Sequence, residues 1–157
     1  MAASPSEKPA VVRPDRDGVS VIGAANPGTI AMGGVLIIDD SLTVRAIIEE
    51  MLAGDSDLTV VGSASDVDTA RRLIDRHRPR VITLDLAMPG IDGLTFLDEL
   101  AASPHAPVLV VSSQTRRGSD SEHEAIERGA VACFDKAHLL SHAKDFRRLL
   151  KKSAKPH

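Results

Sequence analysis

The chain of 157 residues (16.6 kDa) has room for one domain of ordinary size plus a tail, and not for two full domains. At 43% hydrophobic and 26% charged it has the composition of a soluble globular protein, and its net charge of −3 gives no global pull toward nucleic acid or an anionic membrane. Three Phe, no Tyr and no Trp leave no material for a base-stacking platform, and the single Cys133 excludes an internal disulfide and a cysteine-based zinc cage. No apolar run approaches the roughly 20 residues of a membrane-spanning helix. The N-terminus lacks the basic-then-apolar order of a secretory signal. A cytoplasmic protein without membrane insertion or direct nucleic-acid binding is expected.

Residues 1–33 hold Pro5, Pro9, Pro14 and Pro27 among scattered Ser, Ala and Gly, with balanced charges and little periodicity. Such a segment cannot bury enough apolar surface to offset its ordering entropy, so a mostly disordered extension is expected, with GVSVIG (18–23) as a candidate short strand. One folded domain is expected over 34–152, followed by a short tail at 153–157. From Val35 onward strand-like and helix-like segments alternate. VLII (35–38) is a strand ending in Asp39-Asp40, and Val44, Ile47, Ile48, Met51 and Leu52 then share one helical face up to a stop at Gly54-Asp55. LTVV (58–61) is a second strand. Ser65 and Asp68 resemble a capping box opening a helix with Val67, Ala70, Leu73 and Ile74 inward. VITL (81–84) is a third strand ending at Asp85; after Met88-Pro89-Gly90 comes a helix burying Phe96, Leu97 and Leu100. VLVV (108–111) is a fourth strand ending in Ser112-Ser113, and 118–128 is weakly helical, with only Ala125 and Ile126 apolar. A fifth strand over 130–134 ends near Lys136, and Leu139, Ala143, Phe146 and Leu150 form the stripe of a last helix. Five βα units, several with near-continuous aliphatic strands, predict a doubly wound α/β domain with a parallel sheet.

In such a sheet ligands bind beyond the carboxyl ends of the strands. Those ends carry Asp39, Asp40, Asp85, Ser112, Ser113 and Lys136. Three nearby carboxylates stay ionised together only if cations join them. Lys136 supplies one charge, and a divalent ion with all-oxygen ligands supplies the rest; Mg²⁺ suits a few carboxylates with water and phosphate oxygens. With a metal at Asp39 and Asp40, Asp85 is placed as a nucleophile toward phosphorus, with Lys136 pairing phosphoryl oxygens and Ser112 hydrogen-bonding one of them. Taken singly, each residue has a plainer reading: Asp39-Asp40 as helix caps, Asp85 as turn chemistry, Ser112-Ser113 as a cap, Lys136 as a solvated charge. Independent caps need not fall at four strand ends with this choice of types. His138 and His142 stand four apart, a spacing that can hold a metal, with no third ligand evident from sequence. Residues 136–157 hold seven basic side chains and one acidic, either a solvated helix face or a docking surface for an acidic partner.

VLIIDDSLTVR (35–45), VITLDLAMPGIDGLTFL (81–97), PVLVVSS (107–113) and GAVACFDK (129–136) resemble the receiver domain of two-component response regulators. The flavour is the chemotaxis type, and PVLVVSSQT is similar to the receiver of the chemotaxis methylesterase. The resemblance implies a flavodoxin-like (βα)5 fold with strand order 2-1-3-4-5. It implies Asp85 as phospho-acceptor, Asp39, Asp40, Asp85 and the Ala87 backbone carbonyl as Mg²⁺ ligands, Ser112 as the switch hydroxyl and Lys136 as the phosphate-pairing lysine. The donor would be a phosphohistidine on a sensor histidine kinase or a histidine phosphotransfer protein. No output domain follows the last helix, so a stand-alone switch acting through a downstream partner or a relay is expected, with output on the face of the fourth helix, fifth strand and fifth helix. Two departures stand out: Ala137 where the family usually has Pro, and Cys133 where it often has an aromatic residue; Ala87 and Gln114 occupy positions that tune phosphoryl lifetime in the family. Two rival readings are a phosphorylation-independent interaction module and an aspartate-nucleophile phosphatase. Such phosphatases usually carry an Asp two residues after the nucleophile, where this chain has Ala87, so a turnover enzyme is not expected.

Overall fold

The computed structural model describes residues 12–14, 20–22, 34–88, 90, 92–102, 106–114 and 117–154. Five strands, β1 Gly34–Ile38, β2 Thr59–Ala64, β3 Val81–Leu84, β4 Val108–Ser112 and β5 Ala132–Asp135, pair in parallel in the order 2-1-3-4-5. Between and after them run α1 Leu42–Ala53, α2 Val67–His77, α3 Gly93–Ala101, α4 Asp120–Glu127 and α5 Ala143–Ser153. This is the flavodoxin-like α/β fold, with its switch point between β1 and β3.

Alternation along the strands builds two cores. Leu36, Ile38, Ile82, Leu84, Val108 and Val110 face one way, onto Val67, Ala70 and Leu73 of α2, Phe96, Leu97 and Leu100 of α3, and Ala125 of α4. Val35, Ile37, Val81, Leu109 and Val111 face the other, onto Ile48 and Leu52 of α1 and Phe146 and Leu150 of α5. Strands buried on both faces favour aliphatic residues at nearly every position, which is why β1, β3 and β4 are near-continuous apolar runs, interrupted in β3 by the buried Thr83, rather than alternating ones.

Several boundaries differ from the sequence expectation. The cap of α2 is Asp66 rather than Ser65: its Oδ1 accepts the Thr69 N–H at 2.8 Å. β2 runs on to Ala64, and β5 starts at Ala132. Leu139 is buried as expected but lies ahead of α5, because Asp135 Oδ1 accepts the Ala137 N–H at 3.0 Å and a 3-10 turn over Lys136–His138 intervenes. A proline at 137 would lack that N–H. In α4 only Ala125 is buried, while Ile126 is 44% exposed. Within 1–33, Val12–Pro14 and Ser20–Ile22 form an antiparallel pair, the second strand falling inside GVSVIG and lying beside β2; the disorder expected of the rest falls outside the described residues. Among the described residues no helix is long and apolar enough to cross a membrane.

Candidate functional site

Register assembles the acids. Ile38 of β1 stands opposite Leu84 of β3, so the next residues, Asp39 and Asp85, leave the sheet side by side. Backbone bonds continue past the strand ends: the Asp85 N–H donates to the Ile38 carbonyl at 2.9 Å and the Asp39 N–H to the Ala64 carbonyl at 3.0 Å. Asp39 and Asp85 are buried and Asp40 is exposed, and each offers a carboxylate oxygen within 4.8 Å of the others. On the far side Ser112 of β4 pairs with Asp135 of β5, which delivers Lys136 to the same edge. Its Nζ lies 2.9 Å from Asp39 Oδ2 and 3.2 Å from Asp85 Oδ2.

Neighbouring groups hold these side chains in place. Asp39 Oδ1 accepts the Ser41 N–H at 2.8 Å, and Ser41 also caps α1 by accepting the Val44 N–H at 3.2 Å. Arg45 Nη1 donates to the Asp39 carbonyl oxygen at 2.7 Å, from the first turn of α1. Asp85 Oδ1 accepts the Ala87 N–H at 3.1 Å. Ser112 is fully buried at the end of β4, where its Oγ accepts the Gln114 N–H at 3.2 Å. Gly93, at the start of α3, donates its N–H to the Leu86 carbonyl at 3.2 Å and approaches so closely that a Cβ there would stand 2.5 Å from Leu86 Cα. Sequence reasoning singled out the acids and the lysine because each ends a strand. It did not single out Arg45 or Gly93, whose signal lies only in the motifs that contain them.

The electrostatics are those of a crowded anionic pocket. Burial pushes the Asp85 carboxyl above its ordinary range, and the Asp39 charge adds to this, while the Ala87 N–H and Lys136 work the other way. Burial alone would lower Lys136, yet the Asp39 and Asp85 carboxylates hold it above the ordinary lysine value. One ammonium does not balance three carboxylates. The pocket therefore fits a hard divalent cation on chemical grounds: its donors are all oxygen, they lie within reach of one ion, and they carry excess negative charge. Asp39, Asp40 and Asp85 are the side chains that could hold Mg²⁺, and such an ion would neutralise the pocket and attract phosphate oxygens.

Cys133 does not join this pocket. It lines a separate cavity with His138 and His142, and burial, with the Glu122 charge adding, pushes its thiol up to about 11. It is a protonated strand residue at neutral pH, not a thiolate.

Residues 35–144 match the response regulator receiver domain. Over 105 residues the chain is 47% identical to a protein-glutamate methylesterase/protein-glutamine glutaminase of Pseudomonas aeruginosa, covering 67% of this chain and 30% of that protein. It is 48% identical over 105 residues to the corresponding protein of Xanthomonas oryzae pv. oryzae, covering 67% of this chain and 29% of that protein. The chain thus spans about 30% of the length of the curated relatives it matches. Among solved structures it is similar to the response regulator domain of Thermotoga maritima CheB, with a TM-score of 0.73 and 27% identity, covering 78% of this chain and 96% of that one. It is also similar to a chain in the complex of the P1 domain of CheA3 with CheY6 from R. sphaeroides, with a TM-score of 0.68 and 25% identity, covering 79% of this chain and 98% of that one. The match runs from β1 into α5, and the chain belongs to the response regulator receiver domain family.

Proposed function

We propose that this receiver takes a phosphoryl group from a phosphohistidine onto Asp85 and passes the signal to a partner protein or along a relay. The observation that carries this reading is the placement of Lys136, 2.9 Å from Asp39 and 3.2 Å from Asp85, in a pocket of three carboxylates. A buried carboxylate beside a phosphate-attracting centre is a nucleophile in waiting. An Asp85 oxygen attacks phosphorus in line; the O–P bond forms as the N–P bond to the donor imidazole breaks, and the electron pair stays on the ring nitrogen. Little more than alignment and charge neutralisation is required. Lys136 shifts from carboxylate to phosphoryl oxygens, and Ser112 donates its hydroxyl to one of them. Magnesium at Asp39, Asp40, Asp85 and the Ala87 carbonyl would offset the added charge.

An exposed apolar groove gives the donor a seat. Leu42 is 69% and Leu140 is 72% exposed, and they follow the acid pair and Lys136 by two and four residues. With Ala46, Ile47 and Met51 they line an apolar groove of about 460 Å³ that suits a helix of a histidine kinase or phosphotransfer protein. The added charge is read on the face of α4, β5 and α5, where α4 is anchored by a single buried side chain and is therefore cheap to move.

The test is labelling with acetyl phosphate and Mg²⁺. The wild type should form one acid-stable, base-labile adduct per chain, and Asp85→Asn none, as read by intact mass. Release of phosphate over many turnovers would mark a phosphatase instead. No adduct with saturating donor would leave an interaction module.

A further inference from the structure

We propose a transition-metal site, separate from the acid pocket, on the turn between β5 and α5: His138 and His142 bind a divalent ion of the zinc class, with the Asp145 carboxylate swung in as third ligand. Asp135, His138, His142 and Asp145 recur at intervals of three, four and three, the spacing of one helical face. The backbone is wound to match. Lys136–His138 is a 3-10 turn, the His142 N–H donates to the His138 carbonyl at 2.8 Å, and α5 begins at Ala143. All four residues line one cavity of about 430 Å³, with Arg117 and Glu122 facing them from α4 and the segment before it.

The imidazoles are already placed as a pair. Their ring centres lie 4.9 Å apart with the planes inclined by 55°. Two imidazoles on one tetrahedral ion, each bound at about 2.1 Å, put their ring centres about 5 Å apart. His142 Nδ1 lies 2.9 Å from Ser141 Oγ. When that nitrogen donates to the hydroxyl, Nε2 keeps its lone pair for a metal, the kind of support that orients ligating histidines. Both rings are exposed, so an ion reaches them without opening the fold.

The carboxylates come second. Among the described residues, the acid pocket is the one group whose ligand atoms already lie within 4.8 Å of one another, so binding must draw a carboxylate in. Asp135 Oδ1 is committed to the Ala137 N–H. Asp145 is exposed and meets Arg148 only at 3.6 Å, so its side chain turns at little cost, with water completing the tetrahedron. Cys133 lines the same cavity, but burial keeps its thiol protonated, leaving nitrogen and oxygen donors. Imidazole with carboxylate suits zinc, copper or nickel, whereas magnesium prefers the all-oxygen pocket at Asp85. Occupancy would tie the turn after Lys136 to the first turn of α5.

The test is a zinc titration of the full, tag-free chain against a chromogenic chelator, with Mg²⁺ in excess so that the acid pocket does not compete. One ion per chain is expected, with affinity falling at least about tenfold in His138→Ala and in His142→Ala. Because both side chains are exposed, these variants should fold, and NMR of the wild type gives an independent readout: substoichiometric Ni²⁺ should broaden the His138 and His142 ring signals before those of His77 and His123. Equal zinc affinity in the wild type and the double variant, or broadening that starts elsewhere, overturns the site. Neither measurement involves phosphorylation, so failure here is distinct from failure of Asp85 as acceptor.

Discussion

At the start of α2 the chain offers two adjacent capping side chains, Ser65 and Asp66, and the carboxylate prevails. Asp66 sits in extended backbone (φ −152°, ψ 168°) that aims its side chain at the Thr69 N–H. That bond, working against burial, holds the Asp66 carboxyl below its ordinary range. A carboxyl with a lowered pKa contributes stability that is complete above its unfolded value and is lost as pH falls through the folded one. Asp66→Ala should therefore cost about 1 kcal/mol near pH 7. In urea unfolding repeated at falling pH, the gap to the wild type should narrow below the normal carboxylate range. The serine-to-acid spacing located this helix start to within a residue, but the choice between neighbours belongs to local backbone angles. The same division holds at the candidate site. Asp39, Asp40, Asp85 and Lys136 are legible because each stands at the end of a strand-like run, whereas the grip of Arg45 on the Asp39 carbonyl depends on how α1 lies against β1.

At the scale of elements, α3 shows a constraint that helical periodicity does not reveal. Phe96, Leu97 and Leu100 announce the buried face, and all three are buried. The close contact of Gly93 with Leu86 is a different matter, since a Cβ would stand 2.5 Å from Leu86 Cα and 2.9 Å from its carbonyl oxygen, both rigid backbone atoms. Gly93→Ala should cost about 1–3 kcal/mol through this overlap. Because Leu86 adjoins Asp85, the variant should also slow acetyl phosphate labelling several-fold, while a control at exposed Gly54, where a Cβ meets nothing, should leave labelling unchanged. Thermal unfolding and a labelling time course check the two halves of this expectation. At the other end of the domain, the break between β5 and α5 was missed because a side-chain bond from Asp135 starts a 3-10 turn inside what reads as one apolar stripe.

Over the whole molecule, the two cores on either side of the sheet carry the stability. Phe146 is fully buried and meets Phe134 edge-on, with ring centres 5.1 Å apart, so it joins α5 to the edge strand β5. Phe146→Ala should remove about 3–5 kcal/mol, measured by urea unfolding, a large share of the total for a domain of this size. The exposed ion pairs that link neighbouring elements, Arg71 with Glu99 and Arg128 with Asp98, contribute far less. The residue pattern alone determined that five strand-like runs, several of them aliphatic, alternate with five helices and that acids, a hydroxyl and a lysine stand at strand ends, because period and punctuation are local properties of a chain. Tertiary structure decided that Asp39 and Asp85 are neighbours, that one ammonium reaches both, and that two histidine rings lie 4.9 Å apart on a single turn. Those facts depend on register between strands far apart in sequence and on how the chain turns between β5 and α5, which the spacing of residues does not carry.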